Sequence, residues 1–334
     1  RRVLILAPAN VLEQWEDELR RKFRLEPWVL KGKSWRRGEE EWRTDDLPFN
    51  HLPGDSPHIL LVSQGIAFRA NRRGEFERSS WDLIIVDEAH RARGNKEGEQ
   101  YRKNNLLKTL DLLSLNTASI LLLTATPMQL GVHELFDLLY LLGLPPHWRQ
   151  RETFQFFVTQ LDEDNPGWHS LFEMARESYD YYKELHSLNT SEFERDLTSG
   201  IEFFEVPSSS DPRRDYEELL NIIRNDALYR LPELTEPQRH LLKIALYRMS
   251  PLYQLICRNT RNLLRKYSAR GMARIRVPER LLEDPIPIDF TPEERDLYNS
   301  VETRYVKPFY RDYAKAGLPV HGVGFILTIY RKRA

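Results

Sequence analysis

The run Trp81-Asp82-Leu83-Ile84-Ile85-Val86-Asp87-Glu88-Ala89-His90 constrains this chain more than any other, because an apolar stretch stops abruptly at two adjacent carboxylates followed by Ala and His. A short continuous apolar run bounded by polar residues is the pattern of a strand buried on both faces of a parallel sheet. Ligands of such sheets bind beyond the carboxyl ends of the strands. Asp87 and Glu88 fall at that end. Taken alone, the pair admits two readings: acidic caps on a following helix, or groups that serve a ligand at the end of the sheet.

Three further segments share the pattern. Val3-Leu4-Ile5-Leu6-Ala7-Pro8 is a strand ending in a turn, after which Val11, Leu12, Trp15, Leu19 and Phe23 recur at helical spacing. Ile59-Leu60-Leu61-Val62-Ser63-Gln64 is an apolar run ending in small polar residues. Ile120-Leu121-Leu122-Leu123 runs into Thr124-Ala125-Thr126-Pro127, and Val132, Leu135, Phe136, Leu139 and Leu142 then mark an amphipathic helix. Strand, helix, strand, strand, helix in this order predicts an α/β fold with a parallel sheet.

At these residues the chain resembles a known family. APANVLEQW is similar to motif Ia, LLVSQ to motif Ib, VDEAH to motif II and LLLTATPMQL to motif III of superfamily-two helicase-like ATPases, with the nearest likeness to the Swi/Snf DNA translocases. Ile256-Cys257-Arg258-Asn259-Thr260-Arg261 resembles the basic element between that family's two motor lobes, and residues 287–298 its lead-in to the second lobe. The resemblance covers about residues 1–150 and 250–334. It implies a RecA-like first lobe using ATP and Mg²⁺. Phosphoryl transfer needs a metal to neutralise charge and a group to position the attacking water, which assigns Asp87 to Mg²⁺ and Glu88 to the water. His90 then lies beside the nucleotide, Thr124, Ala125 and Thr126 couple the cleft to lobe closure, and Pro8, Gln14, Ser63 and Gln64 lie in segments that contact the tracked strand. Arg258 and Arg261 join them as nucleic-acid contacts. The implied activity is translocation along duplex DNA, or its remodelling, rather than strand separation. An RNA or restriction-type superfamily-two helicase and a catalytically dead nucleic-acid scaffold are the rival expectations.

The chain departs from the family's commonest pattern at Ala125, where many members carry Gly, at Asn259, which interrupts an Arg-Arg pair, and at Leu130, which replaces a frequent Asn. The wording TATPMQLG is closer to bacterial branches, the RapA-like recyclers of RNA polymerase and the phage-defence systems that include DISARM, which implies RNA polymerase or defence-system proteins as partners. No G-x-x-x-x-G-K-[ST] occurs, although the phosphates need its backbone cradle, its Lys and its hydroxyl. Lys31-Gly32-Lys33-Ser34 lacks the upstream glycine. The expectation is an internal fragment whose P-loop strand lies upstream and whose second lobe is cut short, inactive towards ATP by itself. Its parts are then a first RecA-like lobe over 1–146, a mainly helical insertion over 147–250, a basic inter-lobe brace over 251–284 and the start of a second lobe over 285–334.

With one cysteine in 334 residues, Cys257, the chain has no internal disulfide framework, and no apolar stretch reaches membrane-spanning length. No signal peptide opens it, which says little for a chain expected to be an internal fragment, and the cytoplasm is the default expectation. A net charge of −1 hides an asymmetry: residues 161–218 hold 16 acidic and 5 basic side chains, whereas 248–276 hold eight basic and no acidic ones. A helix there lines up Arg258, Arg261 and Arg265 on one face, suited to a nucleic-acid backbone or to solvent. The aromatics of the insertion, Phe154, Phe156, Phe157, Trp168, Phe172, Tyr179, Tyr181 and Tyr182, are expected to pack helices rather than stack bases. Residues 207–212 and 231–237 read as loops, and 32–57 as a surface loop anchored by Trp35 and Trp42.

Overall fold

Leu4 and Leu6 face one side of the first strand and Ile5 and Ala7 the other, and all four are buried. That is the signature of a strand covered on both faces. The computed structural model describes residues 1–42, 58–67, 70–97, 100–126, 131–164, 166–201, 211–258, 260–272, 274, 277–278, 290–301, 303–304, 307–308 and 311. By contacts the chain divides into two units, Arg1–Met272 and Ala273–Ala334.

In the first unit the order is β1 (Arg2–Ala7), α1 (Leu12–Phe23), β2 (Trp28–Lys31), β3 (Ser34–Arg37), β4 (Glu40–Trp42), β5 (His58–Ser63), α2 (Gln64–Ala67), α3 (Ala70–Arg78), β6 (Leu83–Val86), β7 (Gly94–Glu97), β8 (Gln100–Lys103), α4 (Asn105–Ser114), β9 (Ile120–Leu122) and α5 (Val132–Leu141). Seven of the described strands form one sheet in the order β4-β3-β2-β5-β1-β6-β9, and β7 and β8 pair antiparallel as a separate hairpin. From β2 to β9 every neighbouring pair is parallel. One face packs on α1 through Leu12 and Leu19. The other packs on Phe76 of α3 and on Leu106, Leu107, Leu110 and Leu113 of α4. The fold is the expected RecA-like parallel sheet flanked by helices. Among the described residues β9 is the outer strand, and its Leu121 is 47% exposed.

The opposite edge corrects the sequence reading. Residues 34–42 are not a loop: β3 and β4 continue the sheet antiparallel to β2, and Trp35 is fully buried. Both connections are two-residue turns opened by a glycine, Gly32 at φ +66° and Gly38 at φ +58°, which match the right-handed twist of the strands they join. Lys31-Gly32-Lys33-Ser34 is thus a hairpin turn. The remainder of the predicted loop, 43–57, lies outside the described residues.

The helical segment follows as α6 (Arg151–Asp162), α7 (Trp168–Leu185), α8 (Thr190–Thr198), α9 (Pro212–Arg224), α10 (Glu236–Met249) and α11 (Pro251–Leu255). Phe154, Phe157, Phe172, Tyr179 and Tyr182 are buried in its core, while Phe156 is exposed. Asp211 caps α9, accepting from the Arg214 N–H at 3.2 Å, with Pro212 in the first turn. Of the loop predicted at 207–212, residues 207–210 lie outside the described ones. Residues 231–233 belong to a 3₁₀ turn, Leu228–Glu233, rather than a loop, and Thr235 and Gln238 close a capping box at the start of α10.

Helix α5 serves both bodies: Leu138 and Leu141 pack under the sheet, and Leu135, Phe136 and Leu139 pack into the helical core. On its polar side Asp137, 1% exposed at its side chain, accepts from Arg151 Nη2 at 2.7 Å, from the Gly94 N–H at 2.9 Å and from the Tyr101 hydroxyl. Arg93 meets the buried Glu134 at 3.2 Å one turn earlier. Burial, and then the bond to Asp137, push the Tyr101 phenol well above its ordinary range, so it stays a donor.

Helix α12 (Arg261–Ala269) starts later than the basic-face expectation requires. Thr260 caps it, accepting from the Leu263 N–H at 3.2 Å, so Arg258 precedes the helix and shares no helical face with Arg261 and Arg265. In the second unit, α13 (Pro292–Val301) is fixed by Thr291, whose hydroxyl accepts from the Glu294 N–H while the Glu294 carboxylate accepts from the Thr291 N–H. Residues 287–289 of the predicted lead-in, and 324–333, lie outside the described residues. No described helix is long and apolar enough to cross a membrane.

Candidate functional site

Strand β6 ends at Val86, and its register beside β1 and β9 carries Asp87 and Glu88 out at the carboxyl end of three parallel strands. The Asp87 N–H donates to Leu6 O at 2.8 Å and the Ala89 N–H to Leu123 O at 2.9 Å, which ties the loop to both neighbours. Between them Glu88 adopts φ +48°, ψ +46°, a left-handed conformation. A β-carbon makes that region costly, by about 1–3 kcal/mol when a structure enforces it, and such residues cluster at working sites. Glu88 makes no side-chain capping bond to the 3₁₀ turn that follows, Ala89–Arg91. The capping account therefore does not explain its carboxylate.

What that carboxylate does meet is His90. Its Oε2 lies 3.1 Å from His90 Nδ1, and the same nitrogen lies 3.1 Å from Thr124 Oγ1 at the end of β9. A carboxylate only accepts, so the Nδ1–H is the donor, shared between Glu88 and the threonine hydroxyl. Thr124 Oγ1 also accepts from the Thr126 N–H at 3.1 Å. Two sequence segments 34 residues apart thus meet at one imidazole. Ala125 and Thr126 are exposed beside it, and residues 127–130, which include Leu130, lie outside the described residues.

Asp87 is held from the opposite side. Its Oδ2 accepts from Trp15 Nε1 of α1 at 2.8 Å, its Oδ1 from the Glu88 N–H at 2.9 Å, and its backbone oxygen from Gln64 Nε2 at 2.7 Å. Each carboxylate oxygen retains a lone pair. The donor set therefore fits a Mg²⁺ ion, which takes one or two carboxylates and completes its shell with water and substrate phosphate. A cavity of about 270 Å³ opens onto Asp87 between Val11, Gln14, Trp15 and Phe23. Periodicity places Trp15 on the apolar face of α1 and gives no sign of this bond, because the partner is 72 residues away. Trp15→Phe removes one charge-assisted donor and is expected to lower stability by about 1–2 kcal/mol. The urea midpoint checks this, and an unmoved midpoint would show that the bond contributes nothing.

Of the residues expected along the tracked strand, Gln14 is exposed, whereas Pro8, Ser63 and Gln64 are buried. Gln64 spends its amide on Asp87. Arg258, Cys257 and Ile256 return to the sheet and, with Thr124, Ala125 and Leu122, line a cavity of about 130 Å³. The structure thus brings Arg258 to the threonine segment and leaves Arg261 and Arg265 exposed on α12.

Comparison with known proteins points the same way as this geometry. The model of the SNF2-related domain matches residues 1–202. The RNA polymerase-associated protein RapA of Vibrio atlanticus is 32% identical over 154 residues, 46% of this chain and 15% of that protein. RapA of Photobacterium profundum is 30% identical over 154 residues, 46% of the chain and 14% of its own length. An uncharacterized ATP-dependent helicase of Bacillus subtilis, YqhH, is 33% identical over 155 residues, 46% of the chain and 23% of its own length. The matched stretch spans less than a quarter of each of these relatives.

Proposed function

Because the chain belongs to the SNF2-related family, we propose that it forms part of an ATP-dependent helicase-like motor that moves on duplex DNA. The observation that carries this reading is the meeting of Asp87, Glu88, His90 and Thr124 at the carboxyl end of the parallel sheet. In the proposed mechanism Asp87 holds Mg²⁺, and Trp15 and Gln64 keep its carboxylate and backbone in place. An ion held there would supply charge neutralisation for the phosphates. Glu88 orients the attacking water and accepts its proton. His90 holds Glu88 through Nδ1 and reports its state to Thr124, so that the segment Thr124, Ala125 and Thr126 changes with the nucleotide. Arg258 lines the cavity that this segment opens onto, which places it where the change is passed on.

The nucleic-acid face in this proposal comprises Gln14 by its side chain, the backbone held by the buried Pro8, Ser63 and Gln64, and Arg258 and Arg261 with Arg265. Contacts of this kind grip phosphates without reading bases. The segments 1–146, 147–250, 251–284 and 285–334 are proposed as first lobe, helical insertion, brace and entry to a second lobe. The association of RapA with RNA polymerase makes a polymerase a candidate partner, with defence-system proteins as the alternative.

The test is ATP hydrolysis by the protein encoded by the full open reading frame, with duplex DNA, with duplex RNA and with neither. Turnover is expected to rise with DNA. Reversing both charges, Arg261→Glu with Arg265→Glu, is expected to weaken DNA binding and to lower the slope of log K against log salt by about two, one per lost phosphate contact. Stimulation by RNA alone would replace the DNA reading with an RNA helicase. No turnover with any nucleic acid would leave a binding scaffold.

A further inference from the structure

The five basic side chains between 161 and 218 are Arg176, Lys183, Arg195, Arg213 and Arg214, set among 16 acidic ones. Two of them, Arg195 of α8 and Arg213 of α9, converge with Arg224 on one groove of about 450 Å³. The groove forms where the two helices, joined below by Phe193, Leu197 and Leu220, part towards solvent. Its other polar lining is Ser191 and Asn221, which supply hydroxyl and amide donors, Thr198, whose hydroxyl donates to Arg195 O at 3.1 Å, and the carboxylates Glu194 and Glu217.

Both carboxylates are already neutralised. Glu194 accepts from Lys183 Nζ at 3.1 Å and from the Tyr179 hydroxyl at 2.9 Å, and these bonds hold it below the ordinary carboxylate range. Glu217 pairs with Arg213 at 3.5 Å. Arg195 and Arg224 face no carboxylate within ion-pair distance among the described residues, although the Arg224 charge also helps to hold Glu194 low. The Arg224 guanidinium is also pre-set: it lies over the Tyr179 ring at 4.7 Å from the centroid, and its Nε is buried without a hydrogen-bond partner among the described residues. A stacked guanidinium loses little freedom on binding, and its fork suits phosphoryl oxygens.

We propose that this groove is a phosphoryl-binding site, distinct from the Asp87 site and independent of the motor reading. Arg195 and Arg224 supply the charge, and Ser191 and Asn221 complete the donor set. The phosphoryl group belongs either to a free polyphosphate or to a nucleic-acid backbone.

Hydrogen exchange on the full chain, with inorganic pyrophosphate in one arm and duplex DNA in the other, reads the site locally. Protection of the amides in 191–198 and 213–224 is expected in at least one arm. Protection by pyrophosphate assigns a free ligand, and protection by DNA alone assigns a backbone. Arg195→Gln, an exposed change that leaves the helix core untouched, is expected to weaken the protecting interaction about tenfold. Arg224→Lys keeps the charge without the stacked fork and is expected to weaken it as well. Absence of protection in both arms overturns the proposal. So does protection that survives Arg195→Gln at unchanged affinity while circular dichroism reports a native helix content.

Discussion

Asp137→Ala is expected to destabilise the first unit by about 3–5 kcal/mol, the range for breaking a buried ion pair from one side. The carboxylate is 1% exposed and receives donors from three elements: Arg151 of α6, the Gly94 N–H of β7 and the Tyr101 hydroxyl of β8. Alanine leaves all three donors without that acceptor, the Gly94 N–H buried and Arg151 and Tyr101 partly so. Arg151 has further attachments, its guanidinium lying 3.9 Å from the Tyr101 ring centroid and 4.5 Å from that of Phe136, and donating to His133 O at 3.1 Å. It therefore stays in place as an uncompensated charge. Adding Arg151→Met removes that charge and is expected to recover part of the loss, because an apolar replacement of the whole pair is tolerated far better than half of it. Urea unfolding of the single and double variants measures both terms. A single variant within 1 kcal/mol of the parent would show that the cluster contributes little.

The same cluster marks the limit of what the sequence makes legible. Strands β1, β5, β6 and β9 and helices α1 and α5 are visible as apolar runs and helical periodicity, since each buries its own contiguous residues. Asp137, Tyr101 and Arg151 carry no such mark: the contacts join positions 36 and 14 residues apart, and a lone Asp on an amphipathic helix looks solvated. Strands β3 and β4 are only four and three residues long and hold Arg36, Arg37, Glu40 and Glu41, so their period is hidden by charge on the solvent side. For the candidate site, the motif wording places Asp87, Glu88, His90 and Thr124 together. The bond from Trp15 that holds Asp87, and the cavity that Arg258 shares with Thr124, come from folding distant segments onto one sheet end. Arg258 also shows that charge spacing alone misplaces a residue, because Thr260 starts the helix two positions after it.

Glu88 yields the sharpest test of the motor reading, because its chemistry is expected to be lost while stability is held or gained. In the full-length protein Glu88→Gln keeps the size of the side chain and an oxygen to accept from His90, but it loses the charge that orients water and takes its proton. Turnover is expected to fall by about 10²–10⁴-fold, while stability changes by no more than about 0.5 kcal/mol at this 44%-exposed side chain. Nucleotide affinity should hold, since Asp87 and its donors are untouched. Glu88→Gly goes further. It relieves about 1–2 kcal/mol of left-handed strain at φ +48° and gives back about 0.4–1 kcal/mol through the freer unfolded chain. The glycine variant should therefore be as stable as the parent or more so, and equally inactive. A residue retained for the loop's own sake would not show that pairing, because glycine is the better occupant of the backbone. Equal loss of stability and turnover in both variants would return Glu88 to a structural part in the loop. Turnover lost at held stability would mean that the strain at Glu88 is kept for the carboxylate it aims at His90.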